Sequence, residues 1–276
     1  MPVILRMLFY LHKGKSNKLY IRDEEMETMK LIKDIVYGTQ DVQKQVLDIY
    51  LPDEANDKAT DLLIYYHGGG LLLGDKTDGV NFEYLVNKGI AVISANYRMY
   101  PTAKFPDYLE DAAAVVYWVK ENIGKYMKVR KTFVGGSSAG AYMTVMLAFD
   151  KHYLGAYGID VNDINGYIIN SSQMTTHFNV LNERGISTKR IIVDEAAPVY
   201  HLSEDTVFPN ALVIVSDKDM ACRLEQNMMF LKTASVFGCP EEKMKFKLME
   251  GFGHCKYDKL EEFADILLEY MNSIQE

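Results

Sequence analysis

The 276-residue sequence predicts an α/β fold, a mostly parallel sheet with helices on both faces, and three observations predict it. From about Val46 onward, short β-branched or aromatic runs alternate with longer amphipathic stretches, the pattern of strands joined by crossover helices. Several strand runs are continuously apolar rather than alternating, as strands covered on both faces should be. Apolar residues make up 48% and charged residues 25%, so a chain of this length can bury a sizeable core, and one domain spanning residues 1–276 is expected.

The expected strands, in chain order, are Val46 to Leu51, Leu62 to Tyr66, Ile90 to Ala95, Thr132 to Gly135, Gly166 to Ile169, Ala211 to Ser216 and Lys245 to Glu250. Helix signals fall between them. Pro106 suits a first helical turn, and Leu109, Ala112, Ala113, Val116 and Val119 then recur at helical spacing. A second helix-like run is Ala141 to Phe149. Near the C-terminus, Leu260, Phe263, Ala264, Leu267, Leu268 and Met271 form one apolar stripe, with Glu261, Glu262, Asp265 and Glu269 turned away. The methionines Met220, Met228 and Met229 are expected to fill gaps in the core, the usual work of Met. Two segments stand outside the alternation: residues 1–44, with a charged helical stretch expected at Asp23 to Lys33, and residues 171–209. Both are expected as cap segments over a site.

Composition excludes several classes of function. Lys plus Arg total 30 against 38 for Asp plus Glu, a formal charge of -8, which repels phosphate backbones and anionic lipid surfaces; neither a nucleic-acid nor a membrane partner is expected. Cys222, Cys239 and Cys255 show no C-x-x-C spacing and cannot all pair, so they read as free thiols in a reducing compartment. The apolar start, Met1 to Leu11, is interrupted by Arg6 and followed by His12-Lys13-Gly14-Lys15 rather than a small-residue cleavage site. A cytoplasmic protein is the expectation, with a homodimer left open.

The chemistry-bearing motif is Gly136-Ser137-Ser138-Ala139-Gly140, a G-x-S-x-G frame centred on Ser138. A nucleophile on a sharp strand-to-helix turn needs small neighbours so that the turn can close. The pentapeptide alone also describes a glycine-rich turn with an idle serine, but here a strand precedes it and a helix follows. His67-Gly68-Gly69-Gly70 comes directly after a strand, where its N–H groups can point into a pocket and stabilise an oxyanion; no Lys-Ser/Thr pair follows to suggest a phosphate loop.

A serine hydroxyl needs a base, and the base a carboxylate. Of six histidines only His254 follows the last strand, in Gly251-Phe252-Gly253-His254 ahead of the terminal helix. Asp217 and Asp219 both stand at the end of the preceding strand. Asp219, deeper in the loop, is preferred, with Asp217 as the alternative. Either completes the chain order Ser, Asp, His. No metal and no cofactor are expected, since metal-ligand spacings are absent. Cys255 beside His254 offers a cysteine nucleophile only in sequence, because adjacent side chains normally point apart.

With these residues in place, the chain from about Val46 resembles the hormone-sensitive-lipase-like carboxylesterases and acetyl esterases of the α/β-hydrolase superfamily. The matching segments are Leu47 to Pro52, His67 to Gly70, Asn96-Tyr97-Arg98 through Phe105-Pro106, Glu110-Asp111-Ala112, Ser138-Ala139-Gly140, Asp194 to Pro198, Asp219 and Gly253-His254. It departs where Asn96, Thr102 and Ser137 replace residues that are often acidic in that family. The resemblance implies a sheet of about eight strands, a triad of Ser138, Asp219 and His254, and oxyanion N–H groups from Gly69, Gly70 and Ala139. It further implies a small cap, with Leu71, Met174 and Phe178 at the acyl site. The expected function is hydrolysis of small, short-acyl carboxylic esters; a small-molecule ester is the expected partner. The alternatives are an amidase or peptidase using the same triad, and a non-catalytic ligand-binding module on this scaffold.

Overall fold

The structure, a computed structural model, describes residues 29–56, 58–78 and 81–275. Eight strands form one sheet: β1 (Lys30–Val36), β2 (Val46–Leu51), β3 (Thr60–Tyr66), β4 (Ile90–Ala95), β5 (Val129–Ser137), β6 (Gly166–Asn170), β7 (Ala211–Lys218) and β8 (Met244–Gly253). Their spatial order is β1-β2-β4-β3-β5-β6-β7-β8. The pairs β1–β2 and β2–β4 are antiparallel, and every pair from β4 to β8 is parallel. All seven strands read from the sequence are present.

Continuous apolar runs have a physical origin visible in β3. Leu62, Ile64 and Tyr66 join one buried cluster, while Leu63 and Tyr65 join another on the opposite face. Helices cover both faces. On one side lie α2 (Asp107–Asn122), α3 (Ala139–Phe149), α4 (Lys151–Gly155) and α6 (Arg223–Val236); on the other, α1 (Phe82–Asn87) and α7 (Glu261–Ser273). A short α5 (Phe178–Glu183) lies between β6 and β7. Every residue of α3 is buried, as its apolar composition all round requires. In α2, Leu109, Ala112, Ala113, Val116 and Val119 are buried as expected, and Pro106 sits one position earlier, at the N-cap.

Three expectations need correction. Residues 30–33 belong to a strand, not a helix: Leu31 and Ile32 pair with Tyr50 and Ile49, and a bulge at Asp34 restores register at Ile35. The described part of the N-terminal segment is therefore the edge of the sheet rather than a cap; residues 1–28 lie outside the described residues. Met220, Met228 and Met229 are 46%, 46% and 40% exposed, because α6 buries Arg223, Asn227, Phe230 and Ala234 on its inner face and turns the Met228 and Met229 side out.

Candidate active site

At the C-terminal ends of the parallel strands, β5 runs into Ser138, which takes φ 57° and ψ -111° before α3 begins. That conformation is strained for a residue with a Cβ, and it lifts the hydroxyl away from the sheet. The turn is held from below: Ser138 N–H donates to the Asn170 carbonyl at the end of β6, at 2.8 Å. The glycines of the motif are required by close approach. A Cβ on Gly140 would overlap the Tyr66 carbonyl, and one on Gly136 would overlap Gly140 itself. Ser137, the other serine of the frame, points inward and is buried against Tyr65 and Asn170.

Strand register brings the other two residues together. Lys218 of β7 lies opposite Gly253 of β8, so the residues that follow, Asp219 and His254, emerge side by side. His254 Nδ1 faces Asp219 Oδ1 at 2.5 Å, and Nε2 faces Ser138 Oγ at 2.8 Å. A carboxylate oxygen can only accept, so Nδ1 carries the proton and Nε2 is left to accept from the serine. The Asp219 carboxylate also accepts from Ser171 Oγ at 2.7 Å, Ser216 Oγ at 3.1 Å and the Met220 N–H at 2.6 Å. Burial pushes its pKa up, but the hydrogen bonds from His254 and Ser171 outweigh burial and hold it below the ordinary carboxylate value. Asp217 is engaged elsewhere, accepting from the Gly251 N–H at 2.7 Å on the exposed side of β8.

The glycine-rich turn after β3 closes the site from the opposite side. Gly69 has φ 110°, a conformation that a side chain could not share with the Leu73 carbonyl packed against it. Among the described residues no group accepts the N–H of Gly69, Gly70 or Ala139, and Ala139 opens α3, where N–H groups have no intrahelical acceptor. His67 does not face the serine. Its ring stacks on Tyr97 with centroids 4.5 Å apart, and Nδ1 donates to the Gly68 carbonyl at 2.7 Å. Burial lowers its pKa, so it stays neutral and braces the turn.

A cavity of about 660 Å³ opens over Ser138 and His254. Leu72, Leu73, Phe178 and Met220 supply its apolar wall, and Asp78, Lys256, Lys259 and the largely buried Asp258 line it with charge. Of the three acyl-site expectations, only Phe178 lines this cavity. Leu71 and Met174 are fully buried in the core; the positive φ of Leu71, 66°, turns its side chain inward and leaves Leu72 and Leu73 to face solvent. Among the described residues, Phe178 is also the part of segment 171–209 that reaches the cavity, while its neighbours Thr175, Thr176, His177 and Asn179 are buried beneath. Cys255 lines the cavity with Sγ 3.8 Å from His254 Nε2, yet burial pushes its thiol pKa well up, opposite to what a thiolate nucleophile needs. No group of three His, Cys, Asp or Glu side chains among the described residues could hold a metal.

Sequence reasoning missed several residues that support this arrangement. Asn179 of α5 donates through Nδ2 to the Gly70 carbonyl, tying a helix to the glycine turn. Arg223 Nη1 and Asn227 Nδ2 hold the backbone carbonyls of Ser171 and Ser172 at 3.1 and 2.9 Å. Their only signal was two polar residues four apart on the otherwise apolar face of α6. Asn170, Tyr257 and Asp258 form a buried polar group behind the serine with no signal of that kind.

Together, this sheet order and this elbow define an α/β-hydrolase-fold protein. Residues 47–181 match the BD-FAE family model. Among similar proteins, "Esterase LipI" of Mycobacterium tuberculosis is 33% identical over 105 residues, 36% of this chain and 32% of that protein. "Probable carboxylesterase 13" of Arabidopsis thaliana is 29% identical over 160 residues, 50% of this chain and 47% of that protein. These alignments span between about a third and a half of the relatives' length. Among solved structures, a truncated carbohydrate esterase from gut microbiota superposes with a TM-score of 0.71 at 18% identity, covering 90% of this chain and 98% of that one. "Esterase B from Lactobacillus Rhamnosis" gives 0.70 at 16% identity, covering 91% of this chain and 87% of that one. At such identities the superpositions establish the fold.

Proposed function

We propose that this chain is a serine esterase that hydrolyses small, short-acyl carboxylic esters. The observation that carries the reading is the array Asp219, His254, Ser138, with contacts of 2.5 and 2.8 Å, whose Ser138 and His254 open onto a cavity also lined by Gly69 and Gly70. In the proposed cycle His254 takes the Ser138 proton as the hydroxyl attacks the ester carbonyl, and Asp219 stabilises the resulting imidazolium. The N–H groups of Gly69, Gly70 and Ala139 receive the oxyanion. His254 then returns its proton to the leaving alcohol, and water releases the acyl group by the same steps in reverse order of partners.

The names of the relatives, esterase and carboxylesterase, support ester chemistry. Leu72, Leu73, Phe178 and Met220 offer an apolar surface for an acyl group. The three cysteines are free, which supports a reducing, cytoplasmic setting; among the described residues no helix is long and apolar enough to cross a membrane. The test is labelling by a fluorophosphonate probe, lost in Ser138→Ala, followed by p-nitrophenyl esters from acetate to decanoate with a matched anilide. Highest kcat/KM on acetate or butyrate is expected. A rate rising toward decanoate refutes the short-acyl reading, and a faster anilide refutes the esterase reading in favour of an amidase.

A further inference from the structure

Behind the serine lies a set of polar side chains that this cycle does not use. Asp258, four residues past His254, is 6% exposed and forms no ion pair among the described residues. Its Oδ1 accepts from Asn170 Nδ2 at 2.8 Å, and the same amide donates to Ser137 Oγ at 2.7 Å. Asn170 Oδ1 accepts from Tyr257 OH at 2.7 Å. Tyr257 OH lies 3.1 Å from Ser171 Oγ, which donates to Asp219 Oδ2 at 2.7 Å. An unbroken run of contacts thus joins Asp258 to Asp219 through Asn170, Tyr257 and Ser171.

The protons in this run can be counted. Both ends are carboxylates, so both ends accept. Tyr257 gives its one hydroxyl proton to Asn170, and Ser171 gives its one to Asp219, which leaves the 3.1 Å contact between the two oxygens without a proton. A protonated Asp258 reverses the order. It donates to the Asn170 oxygen once that amide turns over, the amide nitrogen then faces Tyr257, and Tyr257 donates to Ser171. Ser171 becomes a stronger donor to Asp219, because hydrogen bonds in series polarise one another.

We infer that Asp258 is a positioning residue for the triad: as a carboxylate it keeps the run from Asn170 to Ser171 oriented so that Asp219 gives its charge chiefly to His254. Protonation draws Asp219 toward Ser171 and removes a negative charge near His254, so both effects weaken support for the imidazolium. Asp258 is able to titrate in the working range. Burial raises its pKa from 3.8 to about 6, with hydrogen bonds from Ser137 and Asn170 and the charge on His254 opposing, and Asp219 reinforcing, that rise. Tyr65, Tyr257 and Cys255 are the other ionisable groups coupled to it, and Lys256 and Lys259 line the same cavity.

This inference rests on the esterase reading, and its test separates the two. For the full chain, kcat and KM for p-nitrophenyl acetate are measured against pH for wild type, Asp258→Asn and Tyr257→Phe, and the downfield proton of His254 is followed by NMR over the same range. Wild type is expected to show a second ionisation near pH 6, seen as an acid limb steeper than one and a second inflection of the His254 proton. Both signs vanish in Asp258→Asn, with kcat at pH 8 down about fivefold and KM within about twofold, and both shrink in Tyr257→Phe, where only the direct effect of the Asp258 charge on His254 is left. Tyr257→Phe keeps Asp258 and breaks only the run, so it decides the matter even where Asp258→Asn fails to fold. A single ionisation shared by wild type and variants overturns the inference, as does a second inflection of undiminished size in Tyr257→Phe. Wild type that hydrolyses no ester overturns the esterase reading, while the NMR titration still decides the coupling.

Discussion

Burial of Asp258 has a stability consequence that can be calculated. Its pKa rises from 3.8 to about 6 in the folded state. Between those values the folded chain holds a proton that the unfolded chain has released, so stability falls as pH rises through the window and the loss is complete above it. A gap of about two pKa units at 1.36 kcal/mol each amounts to about 3 kcal/mol at neutral pH relative to the protonated form. Asp258→Asn removes the titration while keeping an oxygen that can accept from Asn170 Nδ2. Any fixed difference in hydrogen bonding shifts the variant equally at all pH values, so only the pH-dependent part need be read. The difference in melting temperature, variant minus wild type, is expected to grow by roughly 5 to 10 °C between pH 4 and pH 8, at about 2 to 4 °C per kcal/mol for a chain of this size. Differential scanning calorimetry in matched buffers measures it. A difference that stays flat, or shrinks as pH rises, would refute the assignment of a raised pKa to this carboxyl.

The two aspartates of the β7 loop should separate cleanly: Asp219→Asn is expected to lower kcat by about three to four orders of magnitude, and Asp217→Asn, which loses only an exposed bond to the Gly251 N–H, to leave it within about twofold. Equal losses would show that the His254 contact is not what matters. Asn179→Ala frees the Gly70 carbonyl and is expected to lower kcat by about tenfold or more with KM less affected, since a misaimed oxyanion donor acts on the transition state; steady-state kinetics on p-nitrophenyl acetate checks it, and unchanged kcat would disconnect α5 from the turn. Gly140→Ala places a methyl group against the Tyr66 carbonyl and is expected to yield no soluble folded protein, so recovery of a native circular dichroism spectrum would contradict the close packing of α3 on β3.

What could be read in the sequence follows from what leaves a periodic trace. β3 and β4 are buried on both faces, so apolar runs announced them. β1 is an edge strand, mostly exposed, with Asp34 at a bulge; its charges produced a helical pattern because one open face imposes almost no hydrophobic requirement. The elbow was legible because Gly136 and Gly140 are demanded by backbone contact. His254 and Asp219 were legible because each follows a strand that could be located. Cavity walls were not. Leu71 and Leu72 are neighbours of equal hydrophobicity, and only the backbone dihedrals of Leu71 decide which one faces the substrate side. Asn170, Tyr257 and Asp258 gave no trace at all, since a polar network joins distant positions by hydrogen bonds that have no sequence period.

The same division separates reaction from selection. Ser138, Ala139, Asn170 and Ser171 sit at the junction of the sheet with α3, where Ala139, Asn170 and Ser171 are completely buried and where small displacements meet close-packed neighbours. Strain at Ser138 persists only because that surrounding structure overdetermines it. Leu72, Leu73, Met220, Lys256 and Lys259, by contrast, line the cavity from exposed positions. Substitutions among them alter contacts that ground state and transition state share, so they act chiefly on KM. Substitutions at the junction alter the placement of groups against developing charge and act chiefly on kcat. On the proposed esterase reading, the choice of ester therefore lies with residues on the open side of the cavity, which can change without disturbing the buried scaffold that presents Ser138.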